Sequence, residues 1–154
     1  MKKYCLDAFL TKEKYIDFIK YMLSKSDYFS LIDFRYKKNE PMKKGTKLIF
    51  EALKKYRVYS QYTEKWPGTE TFDTDNFYKI IFYKADVEAY ESLTIVDNIF
   101  DWYYPNAPMD LCFYRNGFCW YESAAHEGEA YLYVDDLDEI YEIEKIGQIG
   151  RAHV

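Results

Sequence analysis

The chain has 154 residues, 49% of them hydrophobic and 31% charged, and a formal net charge of −5. That length is enough for one domain with a sizeable core, and the acidic balance speaks against a nucleic-acid-binding face, which announces itself as a basic stripe. No apolar run approaches the ~20 residues that cross a bilayer, so no membrane association is expected.

In chain order, KYCLDAF (3–9) reads as a strand. Thr11 is a good N-cap for the helix TKEKYIDFIKYMLSKS, whose Tyr15, Ile16, Ile19, Met22 and Leu23 recur on one face. YFSLIDFRY (28–36) reads as a second strand. Phe29, Leu31 and Asp33 fall on one side and Tyr28, Ser30, Ile32 and Phe34 on the other, a mixed pattern that predicts burial on both sides. KKNEPMKKG (37–45) is a polar connection with Pro41 near the start of the next helix. That helix, TKLIFEALKK (46–55), would turn Leu48, Ile49, Ala52 and Leu53 inward. RVYSQYTEKW (57–66) alternates like a strand and ends at the Pro67-Gly68 turn signal. ETFDTD (70–75) connects to a further strand, NFYKIIFYK (76–84).

ADVEAYESL (85–93) favours a short helix, and Asp97 is placed to cap one more helical turn before Pro105 and Pro108 break it. LCFYR and FCWYE flank Asn116-Gly117, the strongest hairpin signal in the chain, because a type I′ turn needs positive φ at both central residues. With that turn, Arg115 pairs with Phe118, Tyr114 with Cys119, Phe113 with Trp120 and Cys112 with Tyr121. EAYLYV (129–134) is the next strand, Asp135 caps a last helix, and Gly147 stops it. The expected fold class is α+β: a single domain, mainly antiparallel sheet with three to four helices over one face.

The chain ends KIGQIGRAHV. IGRAHV reads as the translation of a common sequencing adapter, so the expected domain is 1–147, with 148–154 an adapter read-through set aside from the fold. No export signal is visible at the N-terminus, and the three cysteines, an odd number, read as reduced thiols in a cytoplasm.

The densest chemistry lies in MDLCFYRNGFCWYESAAHEGEAYLYVDD (109–136), with two cysteines and His126. Cys5, Cys112, Cys119 and His126 would count as a Cys3His set, but zinc sites use tight cysteine pairs, so no metal or cofactor is expected. Ser123 precedes His126 by three residues and Glu127 follows it, yet no G-x-S-x-G elbow exists, and thiols in mid-strand tend to be buried and inert. Asp73-Thr74-Asp75 matches a D-x-D metal pattern but lacks a nucleotide-binding unit around it, so it reads as an acidic turn. The six glycines never cluster, which leaves no phosphate loop. The 18 Tyr, 11 Phe and 3 Trp are what AT-rich codons produce; they are also what a recognition surface uses, since Tyr offers large contact area at low entropy cost.

WPGT (66–69), VDNIFDW (96–102), Tyr104-Pro105, Pro108, DLCFY (110–114), the Asn-Gly turn, Trp120 and HEG (126–128) resemble a family of small proteins from low-GC Gram-positive bacteria. Some members carry the label "stage III sporulation protein AH". The resemblance runs over 1–147 in general pattern and is specific from Trp66 to Tyr133. It implies that Trp66, Trp102, Asp110, Trp120, His126 and Glu127 belong to a recurring pattern. The label would imply a membrane-anchored channel component, from which this chain departs by having no transmembrane run.

The functional expectation is a non-enzymatic cytoplasmic binding protein. Its partner would be another protein, in the form of an immunity protein occluding a basic toxin domain. The binding residues would be Trp66, Asp97, Asp101, Trp102, Tyr104, Asp110, His126 and Glu127, with aromatic groups filling pockets on the partner and carboxylates steering its basic surface. The alternatives are a small hydrolase or transferase using His126 with Glu127 or a cysteine, and a sporulation-associated accessory protein.

Overall fold

The computed structural model describes residues 2–9, 11–35, 40–70, 78–147 and 149–153. The D-x-D stretch at 73–75 and most of the 37–45 connection's basic start lie outside the described residues. Seven strands form one antiparallel sheet: β1 (Lys2–Leu6), β9 (Glu129–Val134), β8 (Phe118–Ala124), β7 (Met109–Arg115), β2 (Tyr28–Asp33), β6 (Lys79–Lys84) and β3 (Arg57–Tyr62), in that spatial order. The backbone of β10 (Ile149–His153), within the stretch set aside as adapter, adds to the free edge of β1.

The helices α1 (Lys12–Lys25), α2 (Lys44–Leu53), α3 (Tyr90–Leu93) and α4 (Leu137–Glu144) share one core with one face of the sheet, as expected of the α+β class. Thr11 Oγ1 accepts the Lys14 N–H at 3.2 Å and starts α1. The buried stripe is Tyr15, Phe18, Ile19, Met22 and Leu23, so Phe18 takes the place expected for Ile16. In α2 the stripe is Thr46, Ile49 and Leu53, and Leu48 is exposed. The inward face is rotated toward Thr46, whose hydroxyl donates to the Pro105 carbonyl at 2.6 Å.

β2 is buried on both sides, as its mixed pattern predicts. Phe29 and Leu31 enter the helix-side core, while Ile32 joins a second cluster with Trp66, Tyr78, Ile80, Tyr104 and Met109 on the opposite face. What covers that face is a small hairpin, β4 (Lys65–Trp66) and β5 (Thr69–Glu70), around Pro67-Gly68. The single strand expected over 57–66 is therefore two strands, broken after Tyr62. The same face carries Tyr114, whose hydroxyl lies 2.8 Å from Ser30 Oγ, beside Phe82.

The Asn116-Gly117 turn has positive φ at both residues (54° and 74°), and Arg115↔Phe118 and Tyr114↔Cys119 pair as expected. Beyond them a bulge intervenes, so Phe113 faces Tyr121 rather than Trp120. The extra residue lets Trp120 and Tyr121 both enter the helix-side core, where Trp120 Nε1 donates to Ser26 Oγ at 3.0 Å and Tyr121 meets Phe18 edge-on. Arg115 ties the hairpin to α4 through two 2.7 Å bonds to Glu139, with its guanidinium 3.8 Å above the Trp120 ring. Asp136, not Asp135, caps α4. Gly147 follows the helix, and a Cβ there would collide with the Phe9 ring, so close packing requires the glycine.

Candidate binding site

A second bulge lies where β7 leaves β2. Ser30 pairs with Cys112 but Ile32 pairs with Met109, leaving Asp110 and Leu111 opposite one residue. Asp110 takes φ +57°, the left-handed conformation that Asp tolerates better than most non-glycine residues. Its carboxylate is fully buried and accepts three bonds. Trp66 Nε1 donates to Oδ2 at 2.9 Å, Thr69 Oγ1 to the same oxygen at 3.3 Å, and the Ala125 N–H to Oδ1 at 3.0 Å. One side chain thus clamps the β4–β5 hairpin, the β7 bulge and the 3₁₀ turn Ala125–Glu127. Burial pushes the Asp110 carboxyl above its ordinary value, and the Trp66 and Ala125 bonds, then the nearby His126, pull against that rise.

The clamped turn carries His126, and Gly128 closes it with φ +68°. The His126 side chain is one-third exposed (33%), with Nε2 3.6 Å from Glu127 Oε1, an ion-pair distance beyond hydrogen-bond reach. Its ring stands 6.3 Å from that of Tyr103, at 26°. These two rings form a ridge between two depressions. One is a cleft of ≈ 590 Å³ lined by Phe34, Trp66, Tyr104 and Met109, with Glu40, Lys43 and Glu127 also around it. The other is a shallower groove of ≈ 530 Å³ lined by Asp97, Phe100, Asp101 and Asn106. The Tyr104 hydroxyl is buried with no hydrogen-bond partner among the described residues, and burial followed by the Glu40 and Asp33 charges raises its pKa.

The eight residues expected to bind therefore divide. Trp66, Tyr104, His126 and Glu127 line the cleft, and Asp97 and Asp101 line the groove. Asp97 is held by Lys12 Nζ at 2.8 Å and does not cap the following turn; Asn98 does. Asp101 Oδ2 accepts the Asp97 N–H at 3.0 Å. Asp110 lies beneath the site as its support. Trp102 is elsewhere: it is fully buried in the helix-side core, and its Nε1 donates to the Tyr15 hydroxyl at 3.0 Å. That hydroxyl in turn donates to the Leu93 carbonyl at 2.8 Å. Tyr103, 48% exposed, is the site residue the sequence reading missed. Nothing local distinguishes it from its neighbour Tyr104; only its stacking on a ring from a distant turn does.

Ser123 is buried and donates to the Leu111 carbonyl at 2.8 Å, so its hydroxyl serves the sheet. All three cysteines are free, and the Cys112 thiol is buried over the Asp110 carbonyl, with its pKa raised by the adjacent Cys119 and by burial. Among the described residues no three His, Cys, Asp or Glu side chains converge as a metal ion would require, and no helix is long and apolar enough to cross a membrane. No family model, curated protein or solved structure matches the chain.

Proposed function

We propose that the chain is a non-enzymatic binding protein that engages a basic protein partner across the Tyr103–His126 ridge, in the manner of a cytoplasmic immunity protein occluding a toxin domain. The supporting observation is the cleft itself. Its walls are the rings of Phe34, Trp66, Tyr103 and Tyr104, with the carboxylates of Glu40 and Glu127 and one cation, Lys43, beside them. An aromatic wall offers its negative face to a cation and its area to an aliphatic stem, so a partner's arginine or lysine fits both features. Asp101 across the ridge adds a carboxylate that would speed encounter with a basic patch, whereas Asp97 is already paired with Lys12. Rigidity favours the reading too, because the Asp110 clamp fixes the cleft before any partner arrives.

A hydrolase or transferase centred on His126 is the competing reading, since His126 does border a cleft. Against it, Ser123 and Cys112 are buried and turned to backbone carbonyls, and a general base needs its nucleophile within hydrogen-bond reach. The deciding experiment is co-purification with the product of the neighbouring gene, followed by calorimetry on the purified pair. Binding that weakens at least about tenfold in Tyr103→Ala, the cost expected of a central aromatic contact, supports the proposal. Failure of the pair to associate, or an affinity indifferent to Tyr103→Ala and Glu127→Lys, rejects it.

A further inference from the structure

The cleft between α2 and the outer strands of the sheet is chemically unlike the rest of this acidic chain. Thr46, Ile49 and Leu53 turn into the core, which leaves the adjacent stripe of α2, Lys47, Phe50 and Glu51, with Lys54 just after the helix, as one wall. The floor is the helix-side face of β6, Lys79, Ile81 and Tyr83, with Arg57 of β3 directly opposite Tyr83. Asp33, Arg35, Pro41 and Met42 complete the far rim of a ≈ 460 Å³ cavity.

Five cations and two carboxylates line this cleft, a surplus of three positive charges in a chain whose net charge is −5. Asp33 is nearly buried and holds Arg35 from both oxygens, at 3.0 Å to Nε and 2.7 Å to Nη2, while Nη1 donates to the Glu40 carbonyl at 3.1 Å. That guanidinium is fixed at the rim and locally neutralised. The surplus therefore sits on Lys47, Lys54, Arg57 and Lys79, for which no ion pair occurs among the described residues. Arg57 is steadied by a 2.6 Å bond from Nη2 to Ser60 Oγ, and Lys79 lies 5.3 Å from the Tyr62 ring.

We propose that this cleft is a binding site for a small organic phosphate of nucleotide size: a phosphate group among Lys47, Lys54, Arg57 and Lys79, with a planar apolar body against Phe50, Met42 and Ile81. The positive surplus selects an anion. The concave shape of the cavity and its apolar floor favour a small molecule over a nucleic-acid strand. The volume lies within the usual range for ligand pockets, roughly 300–1,000 Å³. The apolar floor would contribute nothing to a bare inorganic anion. This inference stands apart from the Tyr103–His126 proposal and survives its failure.

The test is calorimetry of the full chain with ADP as probe, and with adenosine and inorganic pyrophosphate separately, at physiological ionic strength. Saturable ADP binding with a Kd below about 1 mM is expected, with adenosine and pyrophosphate each at least about tenfold weaker. Lys54→Glu with Arg57→Glu, both exposed positions, should weaken ADP binding at least about tenfold by placing negative charge beside the phosphate. The control, Lys14→Glu with Lys145→Glu, makes the same charge change away from the cleft, at the exposed Lys14 of α1 and at Lys145 just after α4, and should stay within about threefold. Circular dichroism confirms the fold, and the milder Lys54→Gln and Arg57→Gln substitutions serve if the double reversal unfolds. No saturable heat with ADP at ~10 mM, ADP binding indifferent to the reversals, or pyrophosphate binding as tightly as ADP would each overturn the proposal.

Discussion

Asp110→Asn tests the clamp with little disturbance elsewhere. Asn tolerates the left-handed conformation as well as Asp does, so the φ of +57° adds no new strain. The shape is conserved and only the charge and one acceptor are lost. Trp66 and Thr69 donate to one carboxylate oxygen and Ala125 to the other. An amide has a single acceptor oxygen, so whichever way it turns, its NH2 faces a donor. If the oxygen serves Trp66 and Thr69, the Ala125 N–H is left buried and unmet, at about 1–3 kcal/mol. The remaining bonds also lose charge assistance, which brings the expected destabilisation to about 2–4 kcal/mol. Relief of the buried charge opposes this, and its size can be read from pH. Because the folded-state pKa is raised, Asp110 favours folding most below the unfolded carboxyl's ordinary 3.8, and that contribution fades as pH climbs through the folded value. The stability gap between native chain and Asp110→Asn should therefore be wider near pH 4 than at pH 7. Urea denaturation at both pH values measures it. A gap below about 0.5 kcal/mol, within the scatter of an ordinary surface change, would refute the clamp; a gap that widens toward neutrality would refute the direction of the shift.

Three further outcomes are expected. Trp102→Phe should cost about 2–3 kcal/mol, through lost core volume and a Tyr15 hydroxyl without its indole donor, yet leave partner affinity unchanged; reduced affinity in a folded variant would return Trp102 to the binding surface. Ser123→Ala should lower stability by about 1 kcal/mol in chemical denaturation, because the Leu111 carbonyl loses its donor, with no effect on binding. Gly147→Ala should destabilise by about 1–3 kcal/mol as its methyl group displaces the Phe9 ring, and in a Phe9→Ala background the same substitution should cost less.

The parts of the fold legible in the sequence are those set by neighbours along the chain. Thr11 announces α1 because its hydroxyl reaches an N–H three residues on. Asn116-Gly117 announces its hairpin because both residues accept positive φ. The double-sided burial of β2 shows in its mixed pattern, with large apolar residues on both sides of the strand. The misplacements have equally definite causes. Leu48 was expected inside because it belongs to the apolar run Leu48-Ile49-Phe50; the buried place goes to Thr46, whose hydroxyl donates to the Pro105 carbonyl at 2.6 Å, a partner from a distant segment. Trp120 was expected opposite Phe113 because alternation has no means of announcing a bulge whose benefit is a second large ring in the core.

The same division holds at the site. Composition and pattern by themselves determined an acidic, aromatic-rich α+β chain. Only the tertiary structure decided that Trp66 and not Trp102 faces a cleft, that Asp110 supports the site from beneath, and that Tyr103 stacks on His126. It alone gathered cations from α2, β3 and β6 around one cavity in a chain of opposite net charge. Spacing along a strand or helix reports a residue's face, whereas a site is made by side chains from distant segments, whose meeting depends on bulges, hairpin placement and sheet order that local periodicity does not encode.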